Sequence, residues 1–343
     1  MKILETIFSV KNQDIHKMIT ICGIKIKLKS KKLEAKQREL LINDKIESLN
    51  KEISDLKCRN SKLKSDAICT KNQIMLALKR RTPQPELKSI AVHLVDHCNL
   101  RCCGCDHFAP LAQKRFEEPD IFEKDIKRFA ELSGAKLGTL KLMGGEPLLH
   151  PQLTDFMRIS RHYLPDTRIE VVTNAILLNL QKESFWNACK EYDIVIVPTK
   201  YPLKTNYEKA EKTAESYGVK LEYYGNTNSV LKTSYHIPLD LEGKQDAVNN
   251  FLNCFHANNC VFLKQGKLYT CTVAPNINQF NKFFNKNIPL SDREGIDIHK
   301  AQSIDEILEF LAKPIPFCKY CNVNGRTFGH PWGISKKEIE EWI

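Results

Sequence analysis

Three cysteines at C-x3-C-x2-C spacing constrain this chain more than any other feature. Cys98, Cys102 and Cys105 lie in the run His97-Cys98-Asn99-Leu100-Arg101-Cys102-Cys103-Gly104-Cys105, directly after the apolar segment Ser89–Val95. Held in one tight loop, three thiolates can carry three irons of a [4Fe–4S] cube. The fourth iron then has no protein ligand and is open to a substrate or cofactor, whereas four-cysteine sites saturate every iron. Three thiols with a gap point to catalysis. With 13 cysteines in 343 residues, this spacing arises by chance about 0.02 times per chain.

A second signal follows about 40 residues on, in Thr139-Leu140-Lys141-Leu142-Met143-Gly144-Gly145-Glu146-Pro147. It reads as a buried strand running into a Gly-Gly turn whose backbone can approach a ligand closely, with one acid able to catch an amine.

Together these residues resemble the radical S-adenosylmethionine superfamily, which carries C-x3-C-x2-C after its first strand and Gly-Gly-Glu-Pro at the end of its second. The resemblance implies that Cys98, Cys102 and Cys105 hold the catalytic [4Fe–4S] cluster. It implies that the open iron chelates the amino and carboxylate groups of S-adenosyl-L-methionine, with Gly144, Gly145 and Glu146 lining the methionine amine. Reductive cleavage to a 5′-deoxyadenosyl radical, and hydrogen abstraction from a substrate, are the implied chemistry. An external one-electron reductant of the flavodoxin or ferredoxin type would be a partner. Many members carry an aromatic before the third cysteine; here it is Gly104, which bears on packing over the adenine and leaves the ligands intact. Cys103 fits no ligand spacing. A zinc site assembled from Cys102, Cys105, Cys318 and Cys321 is the alternative, but zinc sites usually pair C-x2-C units, and this one ignores Cys98 and the Gly-Gly-Glu-Pro turn.

The length allows one large domain with appendages, or two domains. No stretch approaches the roughly 18 apolar residues of a membrane span. The start, Met1 to Phe8, is too short and too acidic for a signal-peptide core. A cysteine-rich chain without a signal reads as cytoplasmic and metal-binding, not disulfide-stapled. Charge is uneven: residues 1–66 hold 16 Lys/Arg and 9 Asp/Glu, most of the chain's net +11. The remainder leaves no nucleic-acid footprint, while the N-terminal arm could meet an anionic partner.

Five segments are expected. Residues 1–32 form a basic arm, where Lys17 to Lys32 alternate apolar and basic residues about Gly23 as a small hairpin with a lysine face. That stretch is similar to short segments in bacterial proteins that build cell-surface polysaccharides; a solvated edge strand with lysines against aggregation reads equally well. Residues 33–66 read as a coiled coil. Ile42, Leu49, Leu56 and Leu63 repeat every seven residues, with Ile46, Ile53 and Asn60 at the a positions, a pattern favouring a parallel two-stranded coil and hence a homodimer. Glu52 and Lys57 could pair across strands; a helix packed on its own domain is the alternative. Residues 67–87 read as a helix fragment and linker.

Residues 88–230 alternate strands (Ser89–Val95, Thr139–Met143, Ile169–Thr173, Ile194–Val197, Val219–Tyr223) with helices (119–132, 153–163, 180–191, 206–216). Alternation means parallel strands in a wound sheet or barrel, with chemistry at the strands' C-terminal ends. The fold class is therefore α/β, and the resemblance specifies a partial (β/α)6 TIM-type barrel, with an N-terminal coiled-coil helix and a small Cys-rich C-terminal extension. Thr173 and Asn174, with Thr199 and Lys200 one strand on, are candidate cofactor contacts, although an Asn after a strand is often only a turn residue.

Residues 231–343 form a connector and a second cysteine region. Cys260 and Cys271 flank an apolar hairpin turning at Gln265-Gly266, and Cys318-Lys-Tyr-Cys321 is a clip; such a four-thiolate cage fits iron–sulfur or zinc. Gly266-x4-Cys271 resembles the auxiliary-cluster extension called SPASM, or its shorter twitch form with one cluster. The resemblance implies a second [4Fe–4S] cluster on Cys271, Cys318, Cys321 and either Cys254 or Cys260, with Cys260 favoured for its hairpin position. Enzymes with this extension divide between peptide maturases and small-molecule oxidases. The lysine-rich arm and the absence of a winged-helix pattern favour a sugar or sugar nucleotide of surface polysaccharide synthesis, oxidised or epimerised. A SPASM-type peptide maturase and a non-catalytic iron–sulfur carrier are the alternatives, and Glu146 argues against the carrier, which needs no amine-binding acid. Two polar sets could face substrate: Asp106 with His107, and Asp240, Lys244, Gln245 and Asp246. Loops of solvated charges are the plainer reading of both. His256 and His330 receive no role.

Overall fold

Apolar and basic residues in alternation suit a strand, and the basic arm forms a sheet, in which the apolar Ile24, Ile26 and Leu28 are exposed along with the lysines. The computed structural model describes residues 8–13, 16–226 and 231–343. The first seven residues, the last four of the expected barrel segment (227–230) and positions 14–15 lie outside the described residues. Strands β1 (Phe8–Gln13), β2 (His16–Ile21) and β3 (Ile24–Lys29) form an antiparallel sheet in sequence order. Cys22 and Gly23 make the β2–β3 turn, with φ of 49° and 83°. Two left-handed residues are what a right-twisting two-residue hairpin requires. Helix α1 (Lys31–Arg81) runs past the expected end at residue 66, through the stretch expected to become a linker, and stops ahead of Pro83 and Pro85. It buries none of its residues, and the seam Ile42, Ile46, Leu49, Ile53, Leu56 and Leu63 is exposed throughout. The chain divides into two units between Gln73 and Ile74.

In the second unit, β4 (Ser89–Val95) is buried along almost its whole length, as a central parallel strand covered on both faces must be. It sits in a seven-stranded sheet of order β11-β10-β9-β4-β5-β6-β7. Its parallel neighbours are β5 (Thr139–Gly144) and β9 (Val261–Lys264), followed outward by β6 (Arg168–Thr173) and β7 (Ile194–Pro198). Ile90, Leu140, Ile169 and Ile194 stand in register across four strands as one core layer. Helices α2 (Pro119–Ser133), α3 (Leu153–Tyr163), α4 (Glu183–Glu191) and α5 (Tyr207–Tyr217) connect the strands. Phe122, Ile126 and Phe129 of α2, and Leu153, Phe156, Met157 and Ser160 of α3, recur at helical spacing and are buried.

Parallel strands bring their C-terminal ends to one edge, so Val95, Gly144, Thr173 and Pro198 lie together. The expected fifth strand, Val219–Tyr223, does not form. It makes a single bridge, Ile196 with Leu221, because the left-handed cap Gly218 precedes it and Gly225, also left-handed, turns the chain away just after it. The sheet instead extends on its other side. The hairpin of β9 and β10 (Lys267–Tyr269) turns at Gln265 and Gly266, as expected, and β11 (Gly295–Asp297) completes it. A second core of Phe251, Phe280, Phe317 and Trp342 gathers helices α6 (Ala247–Asn253), α7 (Ile277–Phe284) and the clip segment. Helix α8 (Ile304–Leu311) packs into the sheet's core, and β12 (Thr327–Pro331) pairs with β8 (Thr233–His236).

Candidate active site

The cysteine loop hangs from a buried charge. Asp96, just after β4, has Lys264 Nζ and Arg115 Nη1 each 3.5 Å from its carboxylate, and accepts from Gln279 Nε2 at 3.3 Å. His93 Nδ1 lies 3.3 Å away. Burial pushes the Asp96 carboxyl up, but His93, Lys264 and Arg115 together hold it well below the usual carboxylate range. The loop's take-off is thereby tied to α7, to β9 and to the segment that follows the loop, where Phe116 bridges to Val95.

Cys98, Cys102 and Cys105 line a cavity of about 340 Å³ at the strands' C-terminal edge, with Gly144, Gly145, Glu146, Thr173 and Asn174. Burial drives the Cys105 thiol up to about 12, helped by Asp106 and Cys102, and drives Cys98 up as well, helped by Glu146. Thiols in this setting ionise only beside a cation. The Leu100 N–H points at Cys98 Sγ at 3.3 Å, and the N–H of His107 points at the Cys105 sulfur. Such N–H···S bonds are the ones that hold and tune iron–sulfur thiolates. Among the described residues no three His, Cys, Asp or Glu side chains converge as a single-ion site. Three thiols on one loop, with N–H groups aimed at two of their sulfurs, are the donor chemistry of an iron–sulfur cluster.

The Gly-Gly-Glu turn is interlocked with this loop. Gly145 N–H donates to Val95 O at 2.6 Å, and Glu146 N–H to His97 O at 3.2 Å. A Cβ on Gly145 would stand 2.0 Å from His97 O, so only glycine permits the approach. Glu146 is fully buried and accepts from Thr173 Oγ1 at 2.6 Å, Asn174 N at 2.9 Å and Leu148 N at 3.1 Å. Burial still raises its carboxyl to about 7, against the pull of those three bonds. A cationic amine in the cavity would shift it back towards the charged form. Asn174 Nδ2 reaches Asn99 Oδ1 at 2.7 Å and Cys98 Sγ at 3.6 Å, joining the third strand's end to the cluster loop. Thr199 also lines the cavity. Lys200 does not: its Nζ lies 5.2 and 4.6 Å over the rings of Tyr207 and Tyr223.

Asp106 and His107 both line the cavity. Asp106 Oδ2 accepts from Thr272 Oγ1 at 3.3 Å and lies 3.5 Å from His256 Nε2. Asp240, Lys244, Gln245 and Asp246 stay away from it. Asp240 accepts from the Glu242 and Lys244 N–H groups and from Gln245 Nε2 in its own turn, and Asp246 caps α6 through the N–H groups of Val248 and Asn249. Sequence reasoning missed the cover over the loop. Trp332 Nε1 donates to Cys102 Sγ at 3.2 Å, its ring meets Tyr201 edge-on at 5.6 Å, and Trp342 Nε1 donates to Cys105 O at 3.0 Å. Backbone bonds from Cys103 N to Gly333 O and from Ser335 N to Arg101 O lay the same segment along the loop. A tryptophan between glycines and a proline and another after a charged run carry no local pattern that reveals this.

A second group of thiols meets in the C-terminal region, and its membership differs from expectation. Cys254, Cys271, Cys318 and Cys321 line one small cavity with Asn250, His256 and Arg326. Cys260, the favoured fourth member, lines the larger cavity beside the first loop instead. Of the two thiols left open in sequence, the one that shares this cavity is Cys254 at the end of α6. Asn250 on that helix donates through Nδ2 to Cys318 O at 2.8 Å and to Cys321 O, clamping the clip against Cys254. Burial pushes Cys271 and Cys318 up to about 12 and raises Cys321 well above the ordinary thiol value, while the Val273 and Ala274 N–H groups point at the Cys271 sulfur. This donor set, like the first, fits an iron–sulfur cluster.

Residues 89–218 match the family described as a 4Fe-4S single cluster domain. The GTP 3′,8-cyclase of Chlorobaculum tepidum is 29% identical over 99 residues, 29% of each chain. That of Aquifex aeolicus is 35% identical over 98 residues, 27% of this chain and 29% of the relative. The chain thus spans less than a third of the length of these curated relatives. Among solved structures, BtrN in complex with AdoMet and 2-DOIA is 17% identical, covering 69% of this chain and 93% of that one at a TM-score of 0.44. SuiB of Streptococcus suis bound to S-adenosylmethionine is 13% identical, covering 63% of this chain and 55% of that one at 0.33. The segment matched by the cluster-domain family holds both the C-x3-C-x2-C loop and the glycine turn locked against it, the two motifs by which the chain resembles the radical S-adenosylmethionine superfamily.

Proposed function

We propose that this enzyme takes a hydrogen atom from a sugar or sugar-nucleotide substrate and oxidises or epimerises it, with a second [4Fe–4S] cluster on Cys254, Cys271, Cys318 and Cys321 of a twitch-like region. When bound, the first cluster and S-adenosylmethionine supply one-electron cleavage of the cofactor and abstraction of the substrate hydrogen. Cys98, Cys102 and Cys105 hold the cluster; Glu146, oriented by Thr173 and Asn174, faces the cofactor's amine. The reading rests chiefly on one wall shared by two cavities. Three consecutive residues divide across it: Cys254 lies with the second thiol set, Phe255 lines the reaction cavity, and His256 lines both. A cluster held by those four thiols would supply an electron acceptor across the wall that the two cavities share. The cavity volume is that of a small-molecule site. Lys141 and Lys232 both line it, and among the described residues neither has a carboxylate within 4 Å, which suits an anionic group such as a phosphate. The exposed isoleucine–leucine seam of α1 supports a homodimer through a parallel coiled coil.

The test is anaerobic incubation with S-adenosylmethionine and dithionite, with and without panels of sugar nucleotides and of peptides. Formation of 5′-deoxyadenosine should rise with a sugar nucleotide whose mass falls by two hydrogens or whose stereocentre exchanges with solvent deuterium. Modification only of a peptide would move the assignment to a maturase, and no cofactor cleavage at all would leave an iron–sulfur carrier.

A further inference from the structure

Arg326 aims its whole guanidinium at one sulfur. Both Nη atoms stand 3.3 Å from Cys254 Sγ. Among the described residues Arg326 has no carboxylate within 4 Å, and its Nε is buried without a hydrogen-bond partner. The group lies over the Phe255 ring at 5.4 Å, which fixes its plane. Arg80, whose Nη1 donates to Leu252 O at 2.9 Å, adds a second cation near the same sulfur. A half-buried guanidinium without an acid has been paired with a thiol, an arrangement that makes sense only where that sulfur carries negative charge.

We propose that Arg326 is the built-in counter-charge of the auxiliary cluster's Cys254 ligand and raises that cluster's reduction potential. The inference rests on the assignment of Cys254, Cys271, Cys318 and Cys321 as cluster ligands and names a residue that acts on them. Net charge and hydrogen bonds to the sulfurs are the levers by which a protein sets such a potential. A cation in contact with a ligand sulfur stabilises the reduced cluster, which carries one more negative charge, more than the oxidised one. Two N–H···S bonds act in the same sense, by drawing charge off the sulfur. The consequence is an auxiliary cluster poised to accept an electron. Among the described residues no cation stands in hydrogen-bond contact with Cys271, Cys318 or Cys321; Arg326 reaches Cys318 and Cys321 only through space, so its direct bonds enter through Cys254.

The experiment uses the full chain with Cys98, Cys102 and Cys105 replaced by alanine, so that only the auxiliary cluster remains, followed by anaerobic redox titration with electron paramagnetic resonance detection. Arg326→Gln should lower the midpoint so that at fixed poise the reduced-to-oxidised ratio falls at least tenfold, ~59 mV for one electron. Arg326→Lys, which restores the cation but offers a single donor head, should recover more than half of the shift. An unchanged midpoint and unchanged signal in Arg326→Gln overturn the proposal. If Arg326→Gln loads no iron and Arg326→Lys does, the site needs the charge and the proposal stands. If neither loads, Arg326 serves packing on Phe255 and the proposal falls. Should the Arg326 parent itself hold zinc, or no metal, the cluster assignment fails first, and that result is separate from any effect of the arginine.

Discussion

Gly145→Ala tests whether the glycine turn and the cluster loop hold each other in place. The new Cβ would lie 2.0 Å from His97 O, 2.4 Å from His97 C and 2.9 Å from Cys98 N. All three are backbone atoms, so no side-chain rotation relieves the clash and the two segments must part by roughly 1 Å or more to restore van der Waals contact. Parting breaks the bonds from Gly145 N–H to Val95 O and from Glu146 N–H to His97 O. Each buried donor left unpaired costs about 1–3 kcal/mol, so the pair loses roughly 4 kcal/mol. At about 2–4 °C per kcal/mol for a unit of this size, the melting temperature should fall by roughly 10 °C. Calorimetry of the iron-free protein reads this directly, because the interlock needs no cofactor. Reconstituted protein should hold about four fewer irons, since the loop no longer presents its thiols together. Gly333→Ala is the control, with nothing within 4 Å of its Cβ position and an expected change within about 0.5 kcal/mol. A Gly145→Ala protein that melts within about 2 °C of the parent and binds its full iron would refute the interlock.

Three further outcomes are expected. Reconstituted protein should hold about eight irons, and Cys254→Ala should remove about four of them while Cys260→Ala removes none; iron loss in the Cys260 variant instead would restore the hairpin as the source of the fourth ligand. His93 is buried between His107 and Phe262, and burial lowers its pKa from 6.5 to about 4. Below 6.5 the unfolded chain takes a proton that the folded one refuses, so iron-free protein should lose on the order of 2–3 kcal/mol between pH 6.5 and 4 through this group. His93→Leu should flatten that part of the stability–pH curve, and an unaltered slope would mean His93 charges freely. Full-length protein should sediment as a dimer and become monomeric when residues 1–66 are removed; a monomeric parent would leave the seam of α1 without a partner helix.

Segments whose burial was decided by their neighbours in sequence were legible without coordinates. Ser89–Val95 was readable to the residue because a central parallel strand is apolar on both faces, and Pro119 and Gly134 bracket α2 with ordinary start and stop signals. The loop and turn motifs were readable because each lies within nine residues of chain. What failed depended on distant chain. Val219–Tyr223 has strand composition, yet glycines on either side of it leave one bridge. Cys260 flanks a real hairpin, but whether a thiol at the foot of β9 faces one cavity or the other depends on where α6 docks. Asn250 settles that docking through two carbonyls about 70 residues away, and nothing near Asn250 in sequence announces it.

The tryptophan cover has a consequence for how the protein is made. Trp332 and Trp342 contact the cysteine loop across separations of 230 and 237 residues. On a ribosome adding about 5–20 residues per second, β4 to β7 can assemble roughly 7 to 27 seconds before that segment emerges. During that interval Cys102 has neither its indole donor nor its shield, and the loop lies open to iron delivery and to oxygen alike. Closing contacts of such long range also form late in refolding, since the loop entropy comes before the reward. Metal loading during synthesis therefore meets an easier target than loading of the finished fold, and a chain cut ahead of Trp332 should fold its sheet yet keep its first thiols permanently uncovered.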